Sequence, residues 1–80
     1  MTGDSPIRVF GKSDCADTAR TRALLEAERA PFVFIDVEAS SSAAAQAAEL
    51  GGSPRVPVVV FPDGDVLVEP DDDEVRARLR

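Results

Sequence analysis

The chain has 80 residues, 44% of them hydrophobic and 30% charged, and its formal net charge is −6. This length allows one domain, residues 1–80, and the composition is typical of a soluble globular protein rather than a disordered one. The acidic charge argues against nucleic acid or an anionic membrane as partner. Val56 to Phe61, the longest apolar run, falls far short of the ~20 residues that span a bilayer. Met1 to Pro6 lack the pattern of a signal peptide.

The cysteine and histidine content limits the available chemistry. The chain has one Cys and no His. It therefore has no internal disulfide, no imidazole base and no thiolate-rich metal site of its own. We expect no bound metal and a location in the reducing cytoplasm. Trp and Tyr are also absent, so only the four Phe could stack on bases.

Strand and helix patterns alternate through the first 51 residues. Apolar runs at 7–10 and 32–37 predict strands, and the second run is nearly all apolar, as in a strand buried on both faces. Helical patterns follow each strand, from Cys15 to about Arg29 and from the serines at 40–42 to Leu50, with Gly51 as the stop. The apolar face predicted for the first helix consists of Ala19, Ala23, Leu24 and Ala27.

The remaining residues predict a hairpin and a last helix. Pro57 opens the strand 58–61, residues 62–65 are turn formers, and 66–68 is a second strand. Pro70 begins a helix whose first turn is acidic and whose end is rich in Arg, an order that complements the helix dipole. Val75 and Leu79 are its inward face. The order β-α-β-α-β-β-α gives a four-stranded mixed sheet, parallel across the first helix and antiparallel in the hairpin.

Cys15 lies where the first strand passes into the first helix. Backbone N–H groups and the helix dipole favour a thiolate there. A free Cys is also often a small buried hydrophobe, but its neighbours Ser13, Asp14 and Asp17 are polar and indicate a wet site. Lys12, the only Lys, could hold a thiolate or a substrate carboxylate, or it could be a solvated loop charge.

Several segments together resemble the glutaredoxin family. Ile7 to Thr18 is similar to its opening, an apolar strand followed by T-K-x-x-C-x-x-C. Arg55-Val56-Pro57 resembles the family's T-V-P, with two glycines before it. Residues 34–38 resemble the second-strand signature, and residues 69–75 resemble the N-P-x-x-D-E-V ending of the mycoredoxin branch. The resemblance implies an α/β, thioredoxin-like (glutaredoxin-type) fold with a four-stranded mixed sheet and three helices.

The resemblance also implies roles for individual residues. Cys15 would attack a mixed disulfide between a low-molecular-weight thiol and a protein, and Lys12 would contact the small thiol. Pro57 would follow a cis peptide bond, and Val56 would offer its backbone to the bound thiol compound. The co-substrate would be mycothiol or glutathione, and the protein would act as a monomer.

The residues around Cys15 depart from the family pattern. Thr18 replaces the second, resolving Cys, so only a monothiol route remains, in which a second small thiol releases the first. Thr18 could donate a hydrogen bond to the Cys15 sulfur or be only a first-turn residue. Asp14 and Asp17 are expected to raise the Cys15 pKa, whereas the helix start and Lys12 are expected to lower it. Alternatively, the two acids serve only the start of the helix.

Other departures concern the substrate groove. Arg55 replaces the Thr of T-V-P and could bind a substrate carboxylate or be an exposed loop charge. Glu69-Pro70 replaces the Gly-Gly of glutathione-type enzymes, which argues against glutathione, while the Arg- and Ala-rich composition is compatible with mycothiol. Asp73 could bind a substrate amino group, or the acidic run could serve only the helix dipole.

Three functions are consistent with these residues. The leading one is a monothiol glutaredoxin-like or mycoredoxin-like oxidoreductase acting on mixed disulfides. The second is a redox-inactive adaptor of the same fold that binds a partner protein at the face formed by Cys15 and Pro57. The third is an iron–sulfur carrier built from two copies of Cys15 and two small thiols, although the C-G-F-S form of such carriers is missing.

Overall fold

The computed structural model describes residues 5–80, whose helices and strands follow the predicted order. The elements are β1 (Ile7–Gly11), α1 (Ala16–Ala27), β2 (Phe32–Asp36), α2 (Ser41–Gly51), β3 (Val58–Val60), β4 (Val66–Val68) and α3 (Asp72–Arg78). Most of Met1 to Pro6, the basis of the signal-peptide prediction, lies outside the described residues. Among residues 5–80, no helix is long and apolar enough to cross a membrane.

The sheet has four strands in the order β2-β1-β3-β4. β1 pairs in parallel with β2, with Val9 opposite Phe34, and antiparallel with β3, with Val9 opposite Val59. β3 and β4 form the antiparallel hairpin. The predicted mixed sheet is confirmed, and β1, which leads to Cys15, lies in its interior.

The prediction that β2 is buried on both faces is wrong at Val33. β2 is an edge strand, paired only with β1, and Val33 is 43% exposed. An unbroken apolar run does not distinguish a central strand from an edge strand, because the sequence does not show how many neighbours the strand has. The most deeply buried strands are β1, where only Arg8 is not fully buried, and β3, where every residue is buried.

The core is divided by the sheet into two clusters. Helices α1 and α3 cover one face, and α2 covers the other. In β1, successive side chains point to opposite faces, so Val9 belongs to the first cluster and Phe10 to the second. The buried members of the first cluster are Ile7, Val9, Leu24, Leu25, Val59, Phe61 and Val75. Those of the second are Phe10, Ala47, Val58 and Val60.

The buried face of α1 differs from its prediction. Its buried residues are Thr18, Thr21, Leu24 and Leu25. Ala19, Ala23 and Ala27 are exposed, so of the predicted face only Leu24 is correct. The helix turns Leu25 inward because a Leu gains far more than an Ala from leaving water, and Thr18 and Thr21 share its face at spacings of seven and four. In α3, the predicted inward residues Val75 and Leu79 do pack in the first cluster.

The three helices begin in different ways. Ser40 caps α2 by accepting a hydrogen bond from the Ala43 amide at 3.3 Å. Asp71 and Glu74 form a reciprocal capping box at the start of α3. Cys15 occupies the N-cap of α1 but makes no side-chain capping hydrogen bond. At the end of α2 the left-handed residue is Gly52, with φ 74°, one position after the predicted stop at Gly51.

Candidate active site

Cys15 lies at the end of the sheet where β1 stops. β1 ends at Gly11, and the next residues form a turn in which the Cys15 amide donates to the Lys12 carbonyl oxygen at 3.1 Å. The thiol is free and partly exposed, with Ser13 and Asp14 exposed beside it. This setting is that of an accessible thiol and not of a buried hydrophobic Cys.

The surroundings of Cys15 lower the pKa of its thiol. The largest cause is the backbone N–H of Thr18, followed by the Thr18 hydroxyl, with a smaller contribution from the Asp17 amide. Partial burial and the Asp17 carboxylate raise the pKa but do not outweigh these donors. Within residues 5–80, Asp14 and Lys12 are not among the groups that shift this pKa, so the structure gives the opposing role to Asp17.

Thr18 is fully buried, and its hydroxyl has no hydrogen-bond partner among residues 5–80. A neutral thiol is a weak acceptor, whereas a thiolate is a strong one, so this hydroxyl becomes well paired only when the sulfur is ionised. That difference between the two states explains why Thr18 lowers the Cys15 pKa. An ideal Cβ placed on Gly11 would lie 2.5 Å from the Thr18 Oγ1, so β1 must end in Gly for Thr18 to fit.

The Val56–Pro57 segment reaches the same end of the sheet. The Val56–Pro57 peptide bond is cis, and Pro57 is buried. β3 begins directly afterwards, with Val58 opposite Phe10 of β1. Antiparallel pairing therefore brings this segment to the point where β1 ends and the turn to Cys15 begins.

Lys12 and Val56 line a common cavity of about 230 Å³. The other lining residues are Val37, Glu38, Ala44, Ala47, Ala48 and Pro54. The alanines of α2 make one wall small and apolar, while Lys12 and Glu38 supply one charge of each sign. A larger cavity, about 410 Å³, is lined by Ile7 and Phe61 among others, at the opposite end of β1 from Cys15.

Arg55 and Asp73 occupy surface positions in which each has an ion-pair partner. Arg55 lies 3.5 Å from Glu69, and Asp73 lies 3.5 Å from Arg76. Neither lines the cavity that contains Lys12 and Val56. In the described part of the chain, no group of three or more His, Cys, Asp or Glu side chains is placed to bind a metal ion.

Arg20 is a residue near the site that has no role among the sequence predictions. Its guanidinium contacts Asp17 at 3.0 Å, Asp72 at 3.5 Å and the Pro70 carbonyl oxygen at 3.2 Å. The three-residue spacing of Asp17 and Arg20 on a helix could have indicated the first contact. The other two contacts depend on the packing of α1 against α3.

The sheet order, the placement of helices on both faces and a thiol at the first helix start define a thioredoxin-like protein. A family model described as Glutaredoxin matches residues 7–67. Two proteins of Mycobacterium tuberculosis whose names assign them to the glutaredoxins, from strains CDC 1551 and H37Rv, are each 34% identical to this chain over 74 residues. The match covers 91% of this chain and 88% of theirs. The chain therefore belongs to the glutaredoxin family.

Solved structures support the fold. The crystal structure of a glutaredoxin from Archaeoglobus fulgidus superposes with a TM-score of 0.86 at 23% identity, over 98% of this chain and 89% of that one. The thioredoxin-like protein BC3987 superposes with a TM-score of 0.80 at 21% identity, over 89% of this chain and 96% of that one. The predicted thioredoxin-like, glutaredoxin-type fold is confirmed.

Proposed function

We propose that the protein is a monothiol thiol–disulfide oxidoreductase that acts on mixed disulfides between a low-molecular-weight thiol and a protein. The observation that carries the proposal is the position of Cys15. It is a partly exposed, free thiol at a helix N-cap, and the amide and hydroxyl of Thr18 lower its pKa. The thiolate is the attacking species in disulfide exchange, so these groups increase the reactive fraction.

The reaction consists of two exchanges at Cys15. First, the Cys15 thiolate attacks the small-thiol sulfur of the mixed disulfide, the S–S bond breaks, and the protein client leaves as a thiolate that takes a proton from water. Second, the thiolate of another small thiol attacks the small-thiol sulfur bound to Cys15. This releases Cys15 as a thiolate and forms the disulfide of two small thiols. In the net reaction the client Cys returns from the disulfide to the thiol level, the second small thiol is oxidised to the disulfide level, and the first small thiol remains in a disulfide throughout.

Thr18 makes a monothiol route necessary and supports it. It occupies the position three residues after Cys15, where no second sulfur is present to resolve the mixed disulfide. Its N–H and hydroxyl stabilise negative charge on the Cys15 sulfur. The same charge returns to that sulfur when Cys15 leaves in the second exchange, so both steps gain from these donors.

The cavity that contains Lys12 and Val56 is the proposed binding place for the small thiol. Lys12 would pair with a carboxylate or donate hydrogen bonds to polar oxygens, and the Val56 backbone would align the compound beside Cys15. Mycothiol and glutathione are the two candidate co-substrates. Arg55 and Asp73 would add contacts to a carboxylate and an amino group by exchanging their present partners, Glu69 and Arg76. We propose a monomer that works in the cytoplasm.

The deciding experiment is a mixed-disulfide exchange assay. A model peptide carrying either mycothiol or glutathione on its Cys is incubated with the matching thiol in excess, and release of the free peptide is followed with and without enzyme. We expect catalysed release by the wild type and none by Cys15→Ser. Faster turnover with one peptide would identify the thiol. Equal rates for wild type and Cys15→Ser with both peptides would refute the proposal and favour the redox-inactive adaptor.

A further inference from the structure

Arg20 joins the first turn of α1 to the start of α3. Its Nη1 donates to Asp17 Oδ1 at 3.0 Å, and its Nη2 donates to the Pro70 carbonyl oxygen at 3.2 Å. Its Nε lies 3.5 Å from Asp72 Oδ1, an oxygen that is buried and accepts no hydrogen bond within residues 5–80. One guanidinium thus meets two carboxylates and a carbonyl, an arrangement that suits the planar five-donor fork of Arg and not the single ammonium of Lys.

Asp17 is the acid in this network that matters for Cys15. It lies two residues after the thiol, and its carboxylate opposes negative charge there, which raises the Cys15 pKa. A carboxylate held 3.0 Å from a guanidinium has much of its field cancelled, and its rotation is restricted. Arg20 is therefore placed to weaken the effect of the Asp17 carboxylate on Cys15.

We propose that Arg20 is a positioning residue for the thiol site: it holds and neutralises the Asp17 carboxylate, anchored by its contacts with Asp72 and Pro70, and thereby protects the thiolate of Cys15. The inference rests on the proposed function only in giving Cys15 the reacting role. Arg20 itself need not touch the substrate.

Other charged groups border this end of the molecule, and the effect of Arg20 has to be separated from theirs. They are Lys12 and Asp14 before α1, Asp36 and Glu38 at the end of β2, Arg55 before β3, Glu69 after β4, and Asp71, Asp72 and Asp73 at the start of α3. Because they remain unchanged when Asp17 and Arg20 are altered, a double-mutant cycle on these two residues isolates their coupling.

The cycle compares wild type, Arg20→Gln, Asp17→Asn and the double variant. The readout is the rate of iodoacetamide labelling of Cys15 against pH, which needs no disulfide substrate and so is independent of the exchange assay. We expect Arg20→Gln to move the profile to higher pH and to slow labelling at pH 7 by about two- to threefold. In the Asp17→Asn background the same change should have no effect.

Arg78→Gln is the matched control. It removes the same charge from a side chain that is 44% exposed, against 46% for Arg20, and that pairs with Asp65 at 3.0 Å, the distance at which Arg20 pairs with Asp17. Arg78 lines the larger cavity at the opposite end of β1, so the labelling profile should not move.

Two outcomes would overturn the proposal. One is a labelling profile that Arg20→Gln leaves in place. The other is a shift of equal size with and without Asp17, which would mean that Arg20 acts directly on the sulfur or through general charge. Circular dichroism checks folding of each variant. If Arg20→Gln does not fold, Arg20→Met, which keeps the aliphatic stem without the charge, replaces it in the same cycle.

Discussion

Thr18 lies three residues after Cys15 in the first turn of α1, and its amide and hydroxyl are the two largest influences that lower the Cys15 pKa. The hydroxyl is buried and unpaired among the described residues, so it has no competing acceptor. The residue that replaces a resolving cysteine therefore has a chemical use of its own.

Replacing Thr18 with Val should lower the reactivity of Cys15 without lowering the stability of the fold. The substitution keeps the shape and removes the donor, so the Cys15 pKa should rise and iodoacetamide labelling near pH 7 should slow severalfold. The free energy of unfolding should stay unchanged or increase by about 1 kcal/mol, because a buried unpaired hydroxyl is lost. Thr18→Ser is the control and should retain most of the labelling rate. A Val variant that labels like wild type would exclude the hydroxyl from the tuning.

Of the two acids beside the thiol, only Asp17 should affect its ionisation. Asp17→Asn should move the labelling profile to lower pH and raise the rate at pH 7 by about twofold or less, because Arg20 already cancels much of the Asp17 charge in the wild type. Asp14→Asn is the matched control and should leave the profile in place. An equal shift from both variants would show that they act through general charge and not through the position of Asp17.

The stability of the fold should depend on pH through Cys15. The folded pKa lies below that of the unfolded chain, about 8.5. Between these two values the unfolded state binds more protons, so the free energy of unfolding rises with pH, and the gain is lost as pH falls through the folded pKa. Urea titrations of wild type and Cys15→Ser across pH 6–10 test this. The difference between the two proteins should grow with pH, and a constant difference would contradict the lowered pKa.

Gly11→Ala should destabilise the protein through Thr18. The new methyl group would lie 2.5 Å from Thr18 Oγ1 and 2.6 Å from its Cγ2. Overpacking of this kind costs about 1–3 kcal/mol, which lowers the Tm of a domain this small by several degrees. Adding Thr18→Ala removes both clashing atoms and should recover much of the loss. Failure of the double variant to recover would place the clash elsewhere, for instance in the conformation of β1.

Lys12 is expected to act on substrate binding and not on the thiol. Lys12→Gln should raise KM for the small-thiol mixed disulfide in the exchange assay, because a cation in the cavity beside Val56 is lost. Its iodoacetamide labelling profile should match that of wild type, since Lys12 is not among the groups that shift the Cys15 pKa within residues 5–80. A changed labelling profile with an unchanged KM would reverse this assignment.

The fold was predictable because its signals are local. The β-branched run Val58–Val60 and the turn formers after it predict the hairpin, and the acidic first turn predicts α3. The edge position of β2 was not predictable, because it depends on which strand β1 pairs with next. The buried face of α1 was mistaken because Thr18 and Thr21 are polar residue types, while the burial of Leu25 depends on the facing strands.

In the candidate site, too, the local features were predictable and the features that depend on tertiary packing were not. The position of Cys15 before a helix predicts a stabilised thiolate from the sequence alone, since N-cap geometry is local. The role of Arg20 was missed because two of its three partners lie about fifty residues away and meet it only through the packing of α1 against α3.

Because no side-chain oxygen caps α1, the protection of its first backbone amides from hydrogen exchange depends on the chemical state of the Cys15 sulfur. Ser40 and Asp71 hold the first turns of α2 and α3 with permanent oxygen acceptors. The first turn of α1 has only the Cys15 sulfur, which is a strong acceptor as a thiolate and a weak one in a disulfide. Hydrogen exchange at the Asp17 and Thr18 amides should therefore be slow in the thiolate and faster once the sulfur carries a bound thiol. The first turn of this helix would then report the redox state of Cys15 at two backbone amides.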